Sequence, residues 1–179
     1  MTDGPVIETE RLVLRPPELE DLDPWAAFVA DPEAQRFLGG AQSRHGAWRQ
    51  LLGVAGSWRL QGLGMFSVIE KGSGRWIGRI GPIRHEEWPG NEVGWGVIRE
   101  TWGRGYAGEA AAAAMDFAVD VLGWEEVIHC IDPANTASQA VARKLGSRIL
   151  RQGHLPPPFP ETPIDVWGQS RAEWRARRR

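Results

Sequence analysis

Six consecutive residues, Gly103, Arg104, Gly105, Tyr106, Ala107 and Gly108, carry the clearest chemical signal in this chain. Glycines let a backbone approach a ligand closely, and the first N–H groups of a helix are unpaired donors at the positive end of its dipole. A phosphate or pyrophosphate suits such a place; a plain glycine-rich turn is the bland alternative. The spacing also spells G-x-G-x-x-G, the dinucleotide pattern, and Asp132 stands downstream where a ribose-binding acid would sit. Arg99-Glu100-Thr101-Trp102 separates these glycines from the preceding strand, however, and hairpin-like strands come before them. Both features count against a nicotinamide-binding fold. No Gly-Lys-Ser/Thr follows, which excludes a Walker A loop.

The remaining chemistry-bearing residues are scattered. His45, His85, His129 and His154 have no metal-ligand spacing, so no metal is expected. Cys130 is the only cysteine; it cannot form an intrachain disulfide and fits a reducing cytoplasm. Glu109, in the first turn of the helix after the glycines, complements the helix dipole and reads as structural. Asn135 reads as a local Asx turn or cap, and Ser138 as a helix N-terminal serine.

The elements that must position these residues follow from periodicity. A strand over 92–98 leads into the glycine loop, and a helix over 106–122 leaves it. That helix has an apolar face of Ala107, Ala110, Ala111, Ala114, Met115, Ala118, Val121 and Leu122, with Gly123 as its natural stop. Alternation predicts strands over 7–15, 65–70 and 76–85, a short buried strand over 127–131 and a last strand over 165–174. Helical spacing marks 18–30 and 45–60. Thr136 and Gln139 predict a capping box for a helix ending at Leu145-Gly146, and 156–163 is a proline-rich loop. The order β-α-α-β-β-β-α-β-α-β-β predicts a mixed α/β sheet in a single domain over 1–179.

Composition restricts the partners. A net charge of −2 gives no global attraction to nucleic acid or membrane. The start of the chain has no basic, then apolar, leader pattern, and the most apolar segment is interrupted by Glu109, Asp116 and Asp120. A cytoplasmic protein without membrane or nucleic-acid partners is expected, as monomer or homodimer. The terminal Arg175, Arg177, Arg178 and Arg179 read as a solvated, frayed end.

Residues 92–109, EVGWGVIRETWGRGYAGE, resemble the coenzyme-binding segment of the GNAT acetyltransferases, and most closely the branch typified by the ribosomal-protein N-terminal acetyltransferases RimJ and RimL. Further matches run in the family's order: ERLVLRP at 10–16, DPANTAS at 132–138 continuing to KLG at 144–146, and QSRAEW at 169–174. The broad superfamily has Gln or Arg where Trp102 stands, although this branch often has Trp. Gly108 replaces a small hydroxyl residue. Ala142 occupies the position where many members carry a tyrosine that protonates the departing thiolate, and Tyr106 is the only tyrosine in the chain.

The resemblance implies a largely antiparallel central sheet flanked by helices, and acetyl-CoA as cosubstrate. It implies that the strand ending near Ile98 splays from its neighbour, freeing backbone of Val97 and Ile98 for the pantetheine arm. The N–H groups of Gly103, Arg104, Gly105, Tyr106, Ala107 and Gly108 would hold the pyrophosphate. Asn135 matches a pantetheine-contacting asparagine. Glu92 matches a catalytic-strand acid and is the candidate base, with Ser138 a candidate donor to the thiolate or the coenzyme. A small-molecule or peptide amine would be the acceptor. Its pocket is expected between the first two helices and the loop at 85–89, with Trp48, Trp58, Trp88, Glu86 and Glu87 as candidate contacts. Rival functions are a non-catalytic acetyl-CoA-binding sensor and the nicotinamide-binding reading.

Overall fold

The computed structural model describes residues 4–157, 159 and 163–178. Eight strands form one sheet in the order β1-β2-β3-β4-β5-β6-β8-β7. In chain order these are β1 Ile7–Glu8, β2 Leu12–Arg15, β3 Phe66–Glu70, β4 Trp76–Ile83, β5 Glu92–Val97, β6 Glu126–Ile131, β7 Arg148–Gly153 and β8 Ile164–Ser170. The helices are α1 Leu22–Ala30, α2 Arg44–Gln61, α3 Tyr106–Asp116, α4 Thr136–Leu145 and α5 Arg171–Arg177. Every pairing is antiparallel except β5 with β6, so the expected mixed, largely antiparallel α/β architecture holds.

The two faces of the sheet are covered differently. The alanine-rich face of α3, Ala110, Ala111, Ala114 and Met115, is fully buried with Leu12, Leu14, Phe66, Val68 and Val93. Small side chains bring this helix close to the strands, which holds its N-terminus at the sheet. Against the other face, Trp25, Phe28 and Val29 of α1 pack with Ala47 and Leu51 of α2 and Trp76 of β4.

Local chemistry moves several predicted boundaries. The strand over 7–15 is broken, because Thr9 turns the chain: its N–H bonds the Leu12 carbonyl and its hydroxyl accepts from the Leu12 N–H. The last strand ends at Ser170, where a Ser170/Glu173 capping box starts α5 and places Trp174 in a helix. The predicted Thr136/Gln139 box does not form. Asn135 is the cap, accepting from the Ser138 N–H at 3.1 Å, while the Gln139 amide bonds the Pro133 carbonyl. The terminal arginines are tied down rather than frayed: Arg175 meets Asp120 at 2.7 Å and Arg178 meets Asp116 at 2.6 Å. Arg179, and Pro158, Pro160, Glu161 and Thr162 of the predicted proline-rich loop, lie outside the described residues.

Candidate active site

β5 and β6 are paired in register only at Glu92 and Ile128, where the Ile128 N–H bonds the Asn91 carbonyl at 2.9 Å. Side chains stop the ladder there. The next N–H on β6, that of Cys130, goes to the Glu92 carboxylate at 3.0 Å instead of to backbone. The Val93 carbonyl is taken by His129 Nδ1 at 2.7 Å. Beyond this point the strands diverge, and a cleft of about 210 Å³ opens between them. Its lining includes Glu92, Trp95, His129, Cys130, Asn135 and Ser138, with Leu38 from the α1–α2 connection, Trp88 before β5 and Phe159 before β8.

The His129 network is fully satisfied. Nδ1 donates to Val93, leaving Nε2, 3.0 Å from the Ser147 hydroxyl, to accept. Ser147 in turn accepts from the Gln169 amide at 2.9 Å. Burial pushes the His129 pKa down to about 4, so the ring is neutral at physiological pH and acts as a fixed wedge.

Glu92 is no ordinary exposed strand carboxylate: it is 5% exposed. Burial raises its pKa, and the Cys130 N–H and Trp88 indole, which donates at 2.5 Å, offset only part of that. A buried acid shifted towards neutrality on a cleft wall has the character of a general base. The Cys130 thiol is pushed upwards by burial and by the Glu92 carboxylate, so it is no nucleophile at neutral pH.

The opposite end of β5 offers backbone. In its register with β4, the Ile98 N–H bonds the Ile77 carbonyl at 2.9 Å. The Ile98 carbonyl accepts from both the N–H and the hydroxyl of Thr101. Ile98, expected to face the pantetheine arm, therefore has its backbone committed. Alternation turns the N–H and carbonyl groups of Trp95 and Val97 to the open side. One of these carbonyls, that of Val97, also receives the Trp102 indole at 3.0 Å.

The glycine loop reaches the N-terminus of α3 through left-handed residues, Gly103 at φ 73° and Gly105 at φ 81°. Gly105 is the N-cap and no side chain caps the helix, so the N–H groups of Tyr106, Ala107 and Gly108 face outward without intrahelical partners. Glu109 turns away from them, as its structural reading requires. It accepts from the Thr9 hydroxyl at 2.6 Å, the Arg11 N–H at 2.9 Å and Arg11 Nε at 2.6 Å. Arg11 also donates to the Arg104 carbonyl at 3.0 Å and lies over the Tyr106 ring. The Tyr106 hydroxyl donates to Glu70, which raises its pKa and occupies the only phenol in the chain. The outward N–H groups suit a pyrophosphate, and the open Trp95/Val97 edge suits an extended amide-bearing arm.

The family model described as an acetyltransferase (GNAT) domain matches residues 11–148. The chain belongs to the GNAT acetyltransferases. This GNAT chain is 30% identical over 133 residues to the uncharacterized N-acetyltransferase p20 of Bacillus licheniformis, covering 73% of this chain and 75% of that one. An acetyltransferase structure from Agrobacterium tumefaciens C58 superposes with a TM-score of 0.79 at 30% identity, over 92% of this chain and 94% of that one. A ribosomal-protein-S5-alanine acetyltransferase from Vibrio fischeri shares the fold at TM-score 0.72 and 16% identity, over 96% and 99% of the two chains. Membership makes the protein an acyltransferase and implies acetyl-CoA as cosubstrate. Among the described residues there is no doubly wound parallel sheet of the kind the nicotinamide reading needs, since one pair alone in this sheet is parallel.

The predicted acceptor contacts are only partly brought together. Trp88 lines the cleft, but Trp58 is buried in the core, donating to the Met65 carbonyl, and Trp48, Glu86 and Glu87 are not part of the wall. Asn135 and Ser138 both reach it. The Ser138 hydroxyl accepts from the Trp95 indole at 3.2 Å, which leaves its own proton available. His129 is structural, as its lack of any metal-ligand spacing suggested, whereas sequence reasoning missed Trp95, Leu38, Arg79 and Phe159, whose roles depend on neighbours from distant elements.

Proposed function

We propose that this chain, acting as one domain, transfers the acetyl group of acetyl-CoA directly to a primary amine in a ternary complex, in the manner of the RimJ/RimL-like branch. The observation that carries the reading is Glu92, a buried carboxylate at the point where β5 and β6 part. The Trp88 indole and the Cys130 N–H occupy one lone pair on each oxygen, and the Cys130 thiol lies against the same carboxylate, leaving acceptor capacity for an amine proton. The amine nitrogen attacks the thioester carbon, Glu92 takes the proton directly or through water, and the carbon–sulfur bond breaks. The N–H of Trp95, on the open edge, is placed to stabilise the developing oxyanion. The Ser138 hydroxyl donates a hydrogen bond to the departing sulfur, in place of the tyrosine missing at Ala142. Val97 and the N–H groups of Gly103, Gly105, Tyr106, Ala107 and Gly108 hold the coenzyme; the Arg104 N–H is taken by the Thr101 carbonyl at 3.4 Å, which leaves the Arg104 side chain available for a phosphate and Asn135 for the pantetheine arm.

Because the site holds one strong base candidate, an acceptor that is already partly neutral suits it best. An α-amine of pKa 7.7–8.0 is roughly a tenth neutral at pH 7, against about one lysine in 2,500. We therefore place a small-molecule or N-terminal α-amine ahead of a lysine side chain, in a cytoplasmic setting. The test is acetyl-CoA-dependent thiol release over α-amino compounds, peptides, polyamines and aminoglycosides, beside thermal shifts with acetyl-CoA and NAD. Turnover of an amine, with stabilisation by acetyl-CoA and not NAD, supports the reading. Stabilisation by acetyl-CoA with no turnover of any amine identifies a sensor instead.

A further inference from the structure

Arg79 lines the same cleft as Glu92, and its charge is unanswered. The Nε atom is buried without any hydrogen-bond partner. One terminal nitrogen meets only the Met65 sulfur at 3.5 Å, and the guanidinium lies 5.5 Å from the Trp25 ring centroid and 6.0 Å from that of Phe28. Among the described residues no carboxylate pairs with it. Aromatic faces recover part of the lost hydration but supply no acceptor. Burial lowers the pKa to about 10, which still leaves the group positive at neutral pH. A persistent, half-buried cation at a substrate cleft without its own counter-ion is a place for the anion of a ligand.

The register places Arg79 and Glu92 at two ends of one trough. Arg79 pairs with Gly96, Gly81 with Gly94, and Ile83 with Glu92, so these six residues share one face of the sheet. Glycines form the floor between the charged ends. A Cβ at Gly96 would come within 2.9 Å of the Phe28 ring, and one at Gly94 within 2.9 Å of the Ile83 side chain. From Glu92 to Gly96 the strand advances four residues, roughly 13 Å at about 3.3 Å each. The acid and the guanidinium do not meet in an ion pair, and both line the cleft.

We propose that Arg79 is the specificity-determining residue of the acceptor pocket, and that the acceptor is a small amine bearing a carboxylate, of the amino-acid class. The proposal rests on the acetyltransferase reading above: the amine lies at the Glu92 end and the carboxylate at Arg79, and because a free amino acid's α-amine is more basic than a peptide's, more of its deprotonation falls to Glu92. An unanswered positive charge on the cleft wall suits an anionic group better than a polycationic aminoglycoside.

The experiment measures kcat/KM at saturating acetyl-CoA for free L-amino acids against their C-terminal amides, with short peptides and polyamines in parallel. Wild type, Arg79→Met and Arg79→Lys are compared. The expected result is a preference for the free acid over its amide of roughly tenfold to a hundredfold, the range for a hydrogen bond to a charged group. Amidation lowers the amine pKa and raises its neutral fraction, so this preference runs against the bias of the comparison. Arg79→Met should abolish the preference while leaving the acetyl-CoA KM unchanged, and Arg79→Lys should retain part of it. Equal rates for acid and amide in wild type, or an acid preference that survives in Arg79→Met, overturns the proposal. Turnover confined to peptides or polyamines also overturns it while the acetyltransferase reading stands, whereas no turnover of any amine removes both. The wild-type comparison decides the matter even if a variant folds poorly.

Discussion

At the Glu92 end of β5 the two diverging strands are held apart by side chains: a carboxylate takes the Cys130 N–H, and an imidazole takes the Val93 carbonyl. At the other end, from Val97 to the start of α3, the groups turned outward at the proposed coenzyme site are main-chain N–H donors, displayed by two left-handed glycines and an uncapped helix. The acceptor end thus depends on titratable groups whose charge is set by burial. The coenzyme end depends on geometry and on the fixed dipole of a helix. Substitutions should separate the two, with the pH dependence of turnover confined to the first.

The largest effect is expected at Glu92. Glu92→Gln should lower kcat by roughly 10²–10⁴-fold, the usual range for a positioned base, and leave acetyl-CoA affinity nearly unchanged. With Glu92 as the proposed base, its raised pKa should place the rise of wild-type kcat with pH above the ordinary carboxylate range, because the base must be ionised. The same shift has a stability sign. The folded state holds the proton more tightly than the unfolded chain, so stability falls as pH rises from the ordinary value towards the raised one. Glu92→Gln should lack that decline. A variant with wild-type kcat across the pH series removes Glu92 as the base, and an equal loss in acetyl-CoA affinity would mean that the two ends are not separable.

This contrast also explains what was legible in the sequence. The backbone-built end declares itself locally, since Gly103 and Gly105 are needed for positive φ and the alanine face of α3 repeats with helical period. The side-chain-built end does not. Glu92 is marked only by the family resemblance; by pattern it looks like any carboxylate opening a strand until Cys130, 38 residues later, donates to it. His129 and Trp95 carried no spacing signal, because their partners come from β5, α4 and the Ser147 turn. Arg79 sits in an alternating strand where a charged residue predicts an outward face, and only the packing of α1 turns that face inward. The boundary errors have the same origin. Ser170-x-x-Glu173 was a readable helix start that strand alternation overrode, and the break at Thr9 needed a hydroxyl-backbone bond that pattern alone does not reveal.

A smaller effect, confined to the coenzyme end, is expected from Gly108→Asp. Gly108 occupies the third helical position of α3 without positive φ, and a Cβ there meets nothing within 4 Å. An acid in the first helical turn favours the helix by about 0.3–1 kcal/mol, and loss of glycine helps as well, so the melting temperature should hold or rise. The same charge beside a bound pyrophosphate is repulsive, and the acetyl-CoA KM should rise roughly tenfold to a hundredfold. Gly108→Asn, similar in shape but uncharged, should rise far less. Steady-state kinetics beside a thermal melt reads both. Unchanged KM in a folded Gly108→Asp enzyme would show that the anion does not sit at this helix end.

The smallest effect tests whether the backbone cradle is supported from behind without being altered in front. Glu109 joins α3 to the turn between β1 and β2 through the Thr9 hydroxyl, the Arg11 N–H and Arg11 Nε. Burial alone would raise its pKa, but these donors lower it overall. Its stabilisation is therefore present above the ordinary carboxylate pKa and lost as pH falls towards the lowered one. Glu109→Gln keeps the shape and loses the charge. Because the side chain is partly exposed, the ion pair itself is screened, and the loss should be about 1–2 kcal/mol, mostly from the weakened hydrogen bonds. For a chain of this size that is roughly 2–8 °C in melting temperature. The acetyl-CoA KM should stay within about twofold, since the carboxylate points away from the outward N–H groups. The melting difference between wild type and variant should shrink at acid pH, where wild-type Glu109 is itself protonated. A KM that falls severalfold on removing the charge would place Glu109 in front of the cradle, facing the pyrophosphate, and would break the division between a backbone-built coenzyme end and a side-chain-built acceptor end.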